Sequence, residues 1–224
     1  METENSYNYA HFNPKDYNFK DFKGPKPGDK FLDFEAKTLD GKSIKLSDFL
    51  DKPIVLDSGS ITCPMYANTK GAMNILSEQY PDIHFILLYV REAHPGGRTR
   101  ELVSFEEKMN NAKATGRLYN ENRQVLVDSL EGTAHKLYGS MPNMTYVIGI
   151  DGIIKFRANW TNIEALKKVL QNPNQIEPKD YYPVVKPPLH IAIRTLLIGG
   201  VRALFEFLKG LPQLMKQHKE VEGK

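Results

Sequence analysis

The chain reads as an α/β protein: a central mixed sheet flanked by helices, with an N-terminal β-hairpin extension and a C-terminal amphipathic helix. Three observations predict this. "PIVLDSGS", "IHFILLYVREA" and "RQVLVDS" are short apolar runs of the kind that fill strands covered on both faces. Stretches of helical periodicity separate them. The turn pairs Asp40-Gly41 and Asp151-Gly152 lie between short strand-like runs, giving one hairpin before these runs in the chain and one after them.

Taken in order, residues 1–26 form an arm rich in Tyr, Phe and Asn, either loose or laid across the domain by its aromatics. The Pro/Gly stretch at 24–30 leads into a domain spanning 27–172. "KFLDFEAKTLDGKSIKLSDFL" supplies the first hairpin and then a helical turn from Leu46. After the first buried strand, Met65, Thr69, Met73, Leu76 and Tyr80 recur at helical spacing. The second buried strand precedes a polar-faced helix, "TRELVSFEEKMNNAKAT", and the third a short helix, "EGTAHKLYG", closed by Gly139. "MTYVIGIDGIIKFRA" is a hairpin, and "TNIEALKKVLQN" a helix with Thr161 as N-cap and Glu164 completing a capping box. Residues 173–224 comprise a Pro-rich connector and an apolar stripe from Ile193 to Leu211, weakened at Gly199-Gly200 and ended or bent by Pro212. The order β-α-β-α-β-α-β-β-α after a hairpin is that of a thioredoxin-like fold in its extended peroxiredoxin form.

Composition narrows the function classes. The formal net charge is +3; the chain from Lys186 onward carries about +4 and the remainder about −1. A near-neutral body argues against nucleic-acid binding. One cysteine in 224 residues excludes an internal disulfide framework. The N-terminus lacks the charged and apolar regions of a secretory signal, and Arg194 and Arg202 interrupt the most apolar stretch, so the expected location is cytoplasmic; residues 189–215 are expected to pack on their own domain or on a second subunit, with peripheral membrane contact as the alternative. No metal or bound cofactor is expected.

That cysteine, Cys63, falls between a buried strand and the following helix, at the sheet edge where reactive groups gather in open α/β folds. Free backbone N–H groups and the helix dipole there favour a thiolate, so its pKa is expected to fall below that of free cysteine. Ser60 and Thr62 place hydroxyls beside it. Glu92 and His94, in "YVREAHPGGR", emerge at the same edge, and a carboxylate holding one imidazole nitrogen would fix a proton-transfer tautomer. Pro142, after Met141, occupies the position of a cis-proline facing the cysteine in thioredoxin-like folds. Each residue also has a structural reading: a packed cysteine, helix-capping hydroxyls, or solvated loop side chains.

"KPIVLDSGSITCPMYANTKGAMNIL" followed by "DIHFILLYVREAHPGG" resembles the core of the iodothyronine deiodinases, and the likeness extends over roughly residues 28–170. The resemblance implies that Cys63 takes the place of that family's selenocysteine, that Ser60 and Thr62 are its neighbouring hydroxyls, and that Glu92 and His94 handle protons. Pro64, Met141, Pro142 and Arg157 would then line the substrate site. The implied reaction is reductive dehalogenation of an iodinated aromatic, with His94 supplying a proton and an external thiol (thioredoxin, glutathione or similar) restoring the enzyme. Sulfur stands in place of selenium, as in bacterial cysteine-containing relatives, and a second family histidine is replaced by Leu102 or Val103.

Two other readings stand beside it. In a peroxiredoxin-like thiol peroxidase, Ser60 would occupy the hydroxyl position three residues before Cys63, and Arg157 would steady the thiolate. With Tyr66 where a C-x-x-C motif has its second cysteine, either enzyme needs an outside thiol. A non-enzymatic module would instead work through the basic amphipathic tail, on a membrane surface, a partner or a second subunit of a homodimer.

Overall fold

The three apolar runs become the parallel centre of one seven-stranded sheet. A computed structural model describes residues 7–17, 19, 22–171 and 183–222. The strands are β1 (Glu35–Thr38), β2 (Ser43–Lys45), β3 (Ile54–Gly59), β4 (His84–Tyr89), β5 (Gln124–Val127), β6 (Thr145–Ile148) and β7 (Ile154–Ala158). The helices are α1 (Pro64–Gln79), α2 (Phe105–Tyr119), α3 (Thr133–Leu137), α4 (Ile163–Gln171), α5 (Leu189–Gly199) and α6 (Val201–Glu222). The sheet order is β2-β1-β5-β4-β3-β6-β7. Strands β3, β4 and β5 pair in parallel, which requires the crossovers that α1 and α2 supply; the outer pairings are antiparallel. This is the expected thioredoxin-like α/β architecture.

Side-chain alternation divides the core in two. Leu56, Ile86, Leu88, Leu126 and Tyr146 share one face; Val55, Phe85, Leu87, Tyr89, Val125 and Val127 share the other, under α1 and α2. No helix of the sheet domain fills the whole first face. The N-terminal arm does so, burying Phe12, Tyr17 and Phe19, with Phe207 and Leu214 of α6 packed beside them. Burial of such a side chain stabilises by about 1.5–3 kcal/mol, so the arm is laid across the domain. Arg91 anchors it, its guanidinium 5.0, 4.8 and 5.5 Å from the rings of Tyr7, Tyr9 and Tyr17.

Three expectations are corrected at the C-terminal end. Asn162, not Thr161, caps α4: its Oδ1 accepts from the Ala165 N–H, while the Thr161 hydroxyl pairs with that of Thr145 at 2.6 Å. The single apolar stripe is two helices, because Gly200 adopts φ +110°, a conformation that ends α5. Pro212 lies inside α6 without ending it. The connector's residues up to 182 fall outside the described ones.

Candidate active site

Strand β3 ends at Gly59, and Ser60, Ile61 and Thr62 turn the chain into α1 with Cys63 as N-cap and Pro64 at the first helical position, where a missing N–H costs nothing. The Cys63 N–H donates to the Ser60 carbonyl (3.1 Å) and the Cys63 carbonyl accepts from Ala67 (3.0 Å). The N–H groups of Tyr66 and Met65 at the helix start lower the Cys63 pKa without making a capping hydrogen bond to its sulfur. Burial outweighs them, and the Glu92 carboxylate adds to it: the thiol is pushed up to about 12. The expected depression of the Cys63 pKa is therefore reversed in this closed arrangement. The helix terminus acts as foreseen, but Cys63 is only 1% exposed and desolvation dominates.

Glu92 leaves the end of β4 and turns back into the protein. Thr62 Oγ1 donates to its Oε2 at 2.6 Å, Tyr89 Oη to its Oε1 at 2.5 Å, and Asn111 Nδ2 to Oε1 at 3.1 Å. Desolvation raises its pKa, and these donors hold the rise in check. Thr62 Oγ1 also accepts from the His94 N–H (3.2 Å), and Ser60 Oγ from the Ala93 N–H (3.2 Å). Ser60, Thr62, Glu92 and His94 are thus one hydrogen-bonded unit beside Cys63.

Its internal wiring differs from the expected pair. Glu92 does not hold the His94 ring; its oxygens are taken by Thr62, Tyr89 and Asn111. The ring lies between Phe12 and Phe207, with centroids 4.2 and 5.3 Å away, and its buried Nδ1 has no partner. Burial lowers its pKa to about 3, so the imidazole is neutral. Tyr89 and Asn111 are site residues that sequence reasoning missed. Tyr89 carried a signal, since it shares the Leu87 face and ends the strand that delivers Glu92; Asn111 carried none, because only the docking of α2 brings it there.

The other candidates separate. Pro64 lies at the site as the first residue of α1. No peptide bond among the described residues is cis, so the Met141–Pro142 bond is trans. The Met141 carbonyl is held by Ser58 Oγ (3.0 Å) and His135 (2.8 Å), and Ser140 at φ +59° makes the preceding turn. Arg157 pairs with Tyr146 across β6–β7 and so lies on the arm-covered face, opposite α1. Its guanidinium donates to the Gly24 (3.0 Å) and Pro25 carbonyls and stacks on Phe22. It anchors the arm rather than steadying the thiolate.

A cover closes this edge. The loop after His94 packs on the α5–α6 junction, with Arg98 N–H donating to the Gly199 carbonyl (2.9 Å) and Thr99 Oγ1 to that of Ile198 (2.9 Å). Only glycines permit the approach: a Cβ on Gly96 would fall 2.3 Å from the Gly199 oxygen, and one on Gly199 2.3 Å from the His94 oxygen. Ile191 and Ile198 of α5 pack against the apolar cluster that contains Cys63. Tyr119, over the same cluster, donates to the Ile61 carbonyl (2.5 Å).

Comparison with known proteins supplies a family. The iodothyronine deiodinase family model matches residues 5–159. Type II iodothyronine deiodinase of Bos taurus is 38% identical over 64 residues, covering 27% of this chain and 24% of that protein. The Mus musculus protein is 34% identical over 74 residues, covering 32% and 27%. The chain thus spans about a quarter of the length of these relatives. Among solved structures, the peroxidoxin BcpB of Mycobacterium tuberculosis (TM-score 0.51, 17% identity, 68% of this chain and 98% of that one) and a thiol peroxidase from Chromobacterium violaceum (0.52, 14%, 68% and 90%) share the fold.

Proposed function

The chain belongs to the iodothyronine deiodinase family, oxidoreductases of thioredoxin-like fold, and from that premise we propose that it performs thiol-dependent reductive dehalogenation of an iodinated aromatic through Cys63. The observation that carries this reading is the unit beside the sulfur. Thr62 links the Glu92 carboxyl to the His94 backbone, so the loop that carries the imidazole is pinned next to the chain's single thiol.

The sulfur of Cys63 attacks iodine and takes it as a sulfenyl iodide, while a proton goes to the ring carbon that iodine leaves. His94 delivers that proton once the cover opens and solvent protonates its ring; Glu92 reaches only the His94 backbone, through Thr62, and holds the loop in place. One external thiol displaces iodide to form a mixed disulfide, and a second releases Cys63 as a thiol. Per turnover, aryl iodide and two thiols become arene, a disulfide, iodide and a proton. Tyr66 stands where a second cysteine would resolve the intermediate, and its hydroxyl donates to Glu121, so the reductant must come from outside. The buried sulfur also requires that the arm and the α5–α6 cover move before substrate reaches it.

The test is iodide release from iodinated phenols in the presence of dithiothreitol. Wild type releases iodide and Cys63→Ala releases none. Consumption of hydroperoxide through Cys63 without iodide release would replace this reading with a thiol peroxidase.

A further inference from the structure

Exposed apolar side chains are unevenly distributed over the described residues. Of thirteen exposed large hydrophobics, eight lie between Val185 and Met215. Leu189, Ile193 and Leu197 recur every four residues on α5, and Val201, Phe205, Leu208 and Met215 at three-, four- and seven-residue spacing on α6; the two exposed rows, on either side of Gly200, make up an apolar ridge. Val201 and Phe205, at its middle, are 74% and 71% exposed. The inward residues, Ala192, Leu196 and Ala203, are buried, so both helices are already seated and the ridge is surplus to their packing.

The ridge is bordered by cations. From Lys186 to Lys219 there are six Lys or Arg residues and one acid, Glu206, which is engaged by His11, Arg202 and the Phe12 N–H. Beside the ridge, Arg98, Arg194, His190, Ile193, Leu197 and Ile198 line an open groove of about 590 Å³. A lining that combines aliphatic side chains with two arginines suits an acyl chain beneath an anionic headgroup. A second copy of this chain would bring one basic rim against another, whereas an anionic surface meets the rim with opposite charge. No described helix is long and apolar enough to cross a membrane, so the helices would lie on a surface and not span it.

We infer that the outer face of α5–α6 docks on the surface of an anionic phospholipid bilayer. The apolar ridge enters the headgroup boundary and the basic rim holds the phosphates. This goes beyond the chemistry of Cys63 and does not depend on it.

Cosedimentation of the full chain with vesicles of phosphatidylcholine alone, or with 30% phosphatidylglycerol, tests the inference. Partitioning at least tenfold stronger onto the anionic vesicles, and weakened by 0.5 M salt, is expected. Val201→Glu/Phe205→Glu should lower it tenfold or more with far-UV circular dichroism unchanged. Arg194→Gln/Lys209→Gln, which leaves the ridge intact, should lower it severalfold. No binding to either vesicle, or equal binding to both, overturns the inference. So does light scattering that shows a dimer dissolved by the ridge variant without vesicle binding, which would make this face an interface between copies.

Discussion

Gly199→Ala should unmask the thiol. The new Cβ would lie 2.3 Å from the His94 carbonyl oxygen and 2.8 Å from the Ala203 Cβ, so the α5–α6 junction and the His94 loop must part. Overpacking of this kind costs typically 1–3 kcal/mol. Applied to the closed state alone, at about 1.4 kcal/mol per tenfold, that raises the open population roughly 5- to 150-fold. Closed, with a pKa of about 12, the thiol is ionised in roughly one molecule in 10⁵ at pH 7, against a few per cent for an ordinary cysteine. The rise therefore lies below the ceiling of roughly 3 × 10³ that complete opening would allow. The assay is the rate of iodoacetamide incorporation at pH 7, read by intact mass; with one cysteine, a single adduct reports one site. Gly71→Ala in α1 is the control, since its Cβ meets nothing within 4 Å, and should alkylate at the wild-type rate. If Gly199→Ala also matches wild type while its urea midpoint falls, the junction does not gate Cys63 and the reasoning fails.

Two predictions concern the hydrogen-bonded unit. Thr62→Val keeps the volume but strips a donor from Glu92 and an acceptor from the His94 N–H, so about 2–4 kcal/mol of stability should be lost in urea unfolding. Thr62 is the largest influence holding the Glu92 pKa down, and without it that pKa climbs further. Because Glu92 already titrates above its unfolded value, the loss should grow as pH rises through its folded-state titration; a penalty that does not vary with pH would contradict this. His94 has the opposite sign. Its folded pKa near 3 lies below the unfolded value of about 6.5, so its contribution is intact above about 6.5 and is lost as pH falls toward 3. Denaturant titrations of His94→Gln between pH 6 and 4 should show a slope shallower than wild type by about 1.4 kcal/mol per pH unit, and an unchanged slope would place the ring in contact with water.

Local chemistry determined most of this protein. Apolar runs too short for helices and too continuous for half-exposed strands specify a sheet covered on both faces, and Asp-Gly pairs place its hairpins. Ser60, Thr62, Glu92 and His94 were also legible, because both peptides emerge from adjacent parallel strands at one edge, with Gly59 opposite Tyr89 in the register. What lay beyond reach was decided by packing across long separations. Arg157 went to the arm because strand alternation, fixed by the β6 register, turns it away from α1. Glu92 chose Thr62, Tyr89 and Asn111 over His94 because a buried carboxyl takes whichever donors the docked elements bring within hydrogen-bond reach. The sign of the Cys63 shift followed the same division. Its helix terminus is a property of nearby residues and favours the thiolate, whereas its desolvation comes from segments far along the chain, and in the closed fold burial is the stronger force.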